Sequence, residues 1–116
     1  MNLLKLFQNE TNLQAYAAGQ TIFAAGEPGT VMYVILTGQV AVDVNGRAIE
    51  TIEPGGILGE LALVDRNPRS ANAVARTACT LAAIDERRFT FLVQETPFFA
   101  LHVMGVMAGR LRRQTA

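Results

Sequence analysis

Between residues 19 and 84 the apolar positions fall into short β-favouring runs at 21–23, 31–36, 39–44 and 48–52. Glycines at 19, 26, 29, 38, 46 and 55 punctuate them. Short strands separated by regular turn signals predict an antiparallel sandwich or barrel. The segment VAVDV alternates, with Val40, Val42 and Val44 on one face and Ala41 and Asp43 on the other. Asn45-Gly46 follows, and both residues tolerate positive φ, so this pair predicts a two-residue hairpin turn into 47–52. Residues 56–64 break the alternation. Leu58, Leu61 and Ala62 have helical spacing there, which predicts one or two helical turns ending in a turn at Asp65-Arg66-Asn67-Pro68. Strands resume at 71–75 and 79–84.

Helical patterns lie at both ends. Residues 2–8 predict a short amphipathic helix with Leu3, Leu4, Leu6 and Phe7 on the packing side. Asp85 is placed to cap a helix over 86–94. Pro97 suits the first position of a second helix, 97–113. That helix carries Phe98, Phe99, Leu101, Val103, Met104, Val106, Met107 and Leu111, so burial on more than one side is expected. No linker or repeat divides the chain. The expected organisation is a single domain, 1–116, with β structure over about 12–84 and C-terminal helices over 85–113.

Composition narrows the function classes. Ten basic residues balance ten acidic ones, which argues against direct nucleic-acid binding by overall charge. The single cysteine excludes an intrachain disulfide and fits a reducing compartment. The N-terminus lacks signal-peptide architecture, and no run reaches the roughly 18 apolar residues of a membrane span. A cytoplasmic protein is expected. One histidine cannot supply a His-rich metal centre or anchor a hydrolytic triad beside its partners, so neither a metal nor an enzyme is expected.

The candidate chemistry lies in GGILGELALVDRNPRSA, residues 55–71. Gly59 stands at the start of the short helix, where backbone N–H groups face outward and a ligand can approach closely. Arg69 offers a planar fork of donors that matches two phosphate oxygens. The Ser70 hydroxyl and the Ala71 N–H can add further bonds. Together these groups fit one phosphate of single charge. Glu60 repels phosphate, but an ionised carboxylate accepts a hydrogen bond from a ribose 2′-hydroxyl. A sugar beside a phosphate is a nucleotide. The competing reading is that Glu60 and Arg69 form an ion pair that only pins the loop.

GELAL (59–63) followed by PRSA (68–71) resembles the phosphate-binding cassette of cyclic-nucleotide-binding domains. These occur in bacterial catabolite-activator-type regulators and in regulatory subunits of cyclic-AMP-dependent kinases. GQTIFAAGEPG (19–29), MYVILTGQVAV (32–42), EPGGILGE (53–60) and TACTLAAIDERRF (77–89) extend the likeness from about 12 to 113. The resemblance implies an antiparallel β jelly-roll barrel (double-stranded β-helix). It also implies a short N-terminal helix, a short cassette helix and C-terminal helices. It implies a ligand, cyclic AMP favoured over cyclic GMP, signalled by movement of helix 97–113. The implied site comprises Gly59, Glu60, Leu61, Arg69, Ser70 and Ala71, with Leu58 before the cassette and Val42 and Ile49 packing on the purine. Leu58 departs from the phenylalanine often found there. Gln114 and Thr115 are candidates for choosing the base.

No helix-turn-helix follows helix 97–113, so the output is expected to lie in a missing domain, a second copy or a separate protein. A homodimer through 97–113 is expected, with Phe98, Met104, Val106, Met107 and Leu111 as contacts. The alternative is a degenerate domain that has lost its ligand and serves as a dimerisation scaffold. Gly105 and Gly109 allow close helix approach, either to a partner or to the barrel itself. His102 and Cys79 are expected to be packing residues. Arg110, Arg112 and Arg113 are expected to solvate the helix end and complement its dipole.

Overall fold

The computed structural model describes residues 1–115, with side chains as far as Arg113. The expectation for Gln114 and Thr115 concerns side chains outside the described residues. In chain order the elements are α1 (Leu3–Leu6), β1 (Leu13–Tyr16), β2 (Thr21–Phe23), β3 (Val31–Thr37), β4 (Val40–Val44), β5 (Arg47–Ile52) and β6 (Ile57–Leu58). There follow α2 (Glu60–Asp65), β7 (Asn72–Ala75), β8 (Cys79–Asp85), α3 (Glu86–Glu95) and α4 (Phe98–Thr115). The described strands form two four-stranded antiparallel sheets, β1-β8-β3-β6 and β2-β7-β4-β5. The expected mainly-β jelly roll is the fold observed.

Strand parity builds two cores. In β3 and β8, Tyr33 pairs with Ala83 and Ile35 with Leu81, and these face the second sheet. Met32 pairs with Ile84 and Val34 with Ala82, and these face the helices. Both faces of β3 are therefore covered, which is why VMYVIL reads as a continuous apolar run. Phe23, Val40, Ile52 and Ala75 close the inner core from the other sheet. Leu3, Phe7, Leu92, Phe99 and Val103 close the outer one.

The hairpin turn forms as expected: Asn45 has φ 53° and Gly46 φ 78°, and the Asp43 carboxylate accepts the Gly46 N–H at 3.2 Å. Asp85 caps α3, accepting the Arg88 N–H at 2.8 Å. α3 and α4 then meet at 118°. No single described helix is long and apolar enough to cross a membrane.

Several expectations are corrected. β1 and β6 are strands that the pattern did not single out. Leu58 belongs to β6 and not to the following helix, and Asp65 ends α2 rather than opening the turn. Arg66 takes the left-handed conformation that stops α2. In the single turn of α1 only Leu3 and Phe7, four residues apart, share the buried face; Leu4 and Leu6 are exposed. α4 buries one face, through Phe99 and Val103, with Val106 and Met107 half-covered against the same core. Within the single chain Phe98, Leu101, Met104 and Leu111 lie exposed on the rest of the helix.

Candidate functional site

Arg69 is brought to the mouth of the barrel by its own backbone. Its N–H donates to the Glu27 carbonyl and its carbonyl accepts the Gly26 N–H, both at 2.8 Å, so the β2–β3 turn clamps it. The side chain then runs inward and is 7% exposed. Nη1 donates to the Gly59 carbonyl at 3.0 Å and Nη2 to the Val31 carbonyl at 2.8 Å. The guanidinium lies over the Phe23 ring, 4.2 Å from its centroid. Nε is buried with no hydrogen-bond partner. Burial pushes the Arg69 guanidinium below its ordinary value, while Tyr33, Glu27 and Glu60 pull it back. Gly59 takes φ 78°, and a Cβ there would come within 2.5 Å of Nη1, so this position needs glycine on two counts.

Glu60 opens α2 and is 2% exposed. Its partner is not Arg69. The Glu60 carboxylate accepts from Arg110 Nη1 at 2.5 Å, fifty residues away on α4. Arg110 also donates to the Ile57 carbonyl at 2.6 Å and to Glu50 at 3.2 Å. Burial alone would push Arg110 down, but the Glu60 charge and the bonds to Glu50 and Glu60 outweigh it and hold it above its ordinary value. The loop-pinning Glu60–Arg69 pair is thus replaced by an interhelical one. Arg110, expected to solvate the helix end, is instead enclosed, its side chain 19% exposed. Arg113 reaches Glu50 at 3.3 Å and stays largely exposed, nearer to what was expected of it.

The region carries three carboxylates, Glu27, Glu50 and Glu60, and three guanidiniums, Arg69, Arg110 and Arg113. Arg110 and Arg113 bond to carboxylates directly, whereas the hydrogen bonds of Arg69 go to carbonyls and Glu27 and Glu60 act on it only at longer range. That arrangement suits a monoanionic phosphate ester.

Residues 13–96 match the sequence model of the cyclic nucleotide-binding domain. The chain belongs to that family. This cyclic-nucleotide-binding domain is 29% identical over 103 residues to a CRP-like cAMP-activated global transcriptional regulator of Mycobacterium tuberculosis, covering 84% of the chain and 46% of the relative. The chain therefore spans about half the length of that relative. The structure of the Thermus thermophilus catabolite activator protein superposes with a TM-score of 0.82 at 27% identity, covering 95% of this chain and 59% of that one. A structure from work on a cyclic-GMP-dependent signalling pathway in bacterial phytopathogenesis has a TM-score of 0.81 at 29% identity, covering 95% and 91%.

Within this domain Arg69 meets the Gly59 carbonyl beside Glu60. Leu61 is exposed on α2, Ser70 is exposed and Ala71 half-buried beside Arg69. Leu58 is buried in the inner core. Val42 is half-buried against that core. Ile49 is left unpaired by a bulge, since Val42 pairs with Glu50 and Asp43 with Ala48, and it is 53% exposed. The bulge puts Glu50 on the rung of Val42 and within reach of Arg110, so Glu50 joins the site without any signal in the sequence. Phe23 joins it too, beneath Arg69. Its only sequence signal was its place in the run 21–23. Among the described residues no cluster of three metal-ligating side chains occurs. His102 is half-buried, and burial pushes its pKa down. The buried Cys79 thiol lies 3.1 Å from the Gln39 and Thr77 carbonyl oxygens. A surface cavity of about 590 Å³ flanks α2, lined by Gly29, Ala62, Arg66, Pro68 and Glu86, and contains neither Glu60 nor Arg69.

Proposed function

We propose that this domain binds cyclic AMP in preference to cyclic GMP at the mouth of the barrel and reports binding through α4. The observation that carries the reading is Arg69: a buried guanidinium, held in place by two carbonyls, with no carboxylate bonded to it as a direct counter-charge. A cyclic phosphate supplies that missing charge, with Ser70 and the Ala71 N–H completing its shell. Glu60 accepts the ribose 2′-hydroxyl, and Val42 and Ile49 flank the base. The preference for cyclic AMP rests on relatives named for it.

Arg110 supplies the mechanical link. It sits on α4 and holds the carboxylate that the ribose must use. Ligand and Arg110 therefore meet on Glu60, and any difference in their combined binding between two positions of α4 shifts the helix. The exposed residues Leu101, Met104 and Leu111 lie three and seven residues apart, the repeat of a helix-pairing stripe. A second copy of the chain covers this stripe in the reading proposed here. An output domain is the other occupant, and the oligomeric state in solution separates the two.

The test is calorimetric titration with cyclic AMP, cyclic GMP and linear 5′-AMP. Cyclic AMP is expected to bind most tightly. Arg69→Ala is expected to weaken it by about 2–4 kcal/mol through loss of a charge-assisted phosphate contact. Near-normal affinity in that variant overturns the site.

A further inference from the structure

A buried guanidinium is ordinarily paired with a carboxylate, because an isolated charge is costly away from water. Arg69 is not. Its hydrogen-bond acceptors are the Gly59 and Val31 carbonyls, whose dipoles orient a cation without cancelling its charge. Of the two acids whose charge reaches it, neither Glu27 nor Glu60 bonds to it, and Glu60 is committed to Arg110. What lies against the guanidinium is an aromatic face. The Phe23 centroid is 4.2 Å from Arg69 Cζ, well inside the roughly 6 Å reach of a cation–π contact. Phe23 is 8% exposed and Arg69 7%, so the contact is desolvated, the condition under which it is strongest.

The slot around Arg69 is shaped for a flat group. A Cβ at Gly29 would lie 2.8 Å from Nε, and one at Gly59 would lie 2.5 Å from Nη1. Tyr33 stacks on Phe23, with ring centroids 6.4 Å apart and an interplanar angle of 22°, which limits the freedom of the ring.

We infer that Phe23 is a positioning residue for the phosphate site: its ring holds Arg69 in place as a cation with no carboxylate bonded to it, so that an incoming phosphate finds the charge already set. This rests on the reading of the site given above. A carboxylate in the place of Phe23 would hold Arg69 equally well, but it would cancel the charge and compete with the phosphate. The ring attracts the cation through its face and uses none of its in-plane N–H groups; Nη1 and Nη2 each donate to a carbonyl, and Nε has no partner. Without that attraction Arg69 spends part of its time elsewhere, and apparent affinity falls by the fraction of competent molecules.

Ring electrostatics can be changed with little change of shape. Phe23 is replaced by 4-fluoro- and 3,4,5-trifluorophenylalanine, and cyclic AMP affinity and thermal stability are measured in the wild-type and Arg69→Met backgrounds. Affinity is expected to fall in steps with fluorination, to about tenfold for the trifluoro ring. Phe23→Tyr is expected to stay near wild type, and Phe23→Leu to bind as weakly as the trifluoro ring. Stability is expected to fall in the same steps when Arg69 is present and to stay level with Arg69→Met. A level response of both affinity and stability overturns the proposal, since space-filling alone ignores ring charge. Failure of the site reading looks different: wild type then binds no cyclic nucleotide, and the stability series decides, stepped in favour of a ring-held Arg69 and level against it.

Discussion

Arg110→Met removes the guanidinium that joins α4 to the site and keeps much of the apolar stem. Four hydrogen bonds are lost, and they differ in weight. The two to Glu50, at 3.2 and 3.5 Å, reach a carboxylate that is partly solvated and keeps Arg113. The bond to the Ile57 carbonyl is short at 2.6 Å. The decisive one is to Glu60, whose side chain is 3% exposed and has no other partner among the described hydrogen bonds. Breaking a buried ion pair from one side costs about 3–5 kcal/mol, because the remaining charge is stranded. Arg110 is one-fifth exposed, so the low end applies, about 3 kcal/mol. For a domain of this size that is a fall in Tm of roughly 10–15 °C. Removing both partners strands no charge, so Arg110→Met with Glu60→Gln is expected to recover most of the loss, to within about 1 kcal/mol of wild type. Urea unfolding followed by circular dichroism measures all three proteins. A single variant within about 1 kcal/mol of wild type, or a double variant no more stable than the single, would refute the stranded-carboxylate argument.

Three further outcomes are expected. 2′-Deoxy cyclic AMP binds wild type more weakly than cyclic AMP, and Glu60→Gln shrinks the difference; equal affinity of the two ligands for wild type removes Glu60 from the ribose. Arg88 donates to Glu10 at 2.6 Å and holds its carboxyl below the ordinary range against the opposing pull of burial. The stability from that pair is present above the unfolded value of about 4.3 and is lost as pH falls through the lower folded value, so Glu10→Gln flattens the acid limb of a stability–pH curve. Sedimentation at micromolar concentration shows a dimer that Leu101→Glu disrupts; a monomeric wild type refutes pairing through the exposed side of α4.

Features set by neighbouring residues were legible in the sequence. Asn45-Gly46 had to turn because both tolerate positive φ, and Asp85 had to cap because its carboxylate reaches the N–H three residues on. The cassette was legible because Gly59, Glu60 and Arg69 lie within one short segment, and the family match covers it. Features set across the fold were not. β6 is two residues long and is a strand only because β3 lies beside it. One extra residue in β5 leaves Ile49 unpaired and brings Glu50 onto the rung of Val42, and no local propensity marks that bulge. The partners of the site residues were also silent. Glu60 meets Arg110 across fifty positions, and Arg69 meets Phe23 across forty-six. An isolated arginine near a helix end reads as solvated, and an isolated phenylalanine in a strand reads as core. Only folding α4 across the mouth of the barrel, and β2 beneath Arg69, decides that one arginine is tied to the Glu60 carboxylate and the other lies over a ring.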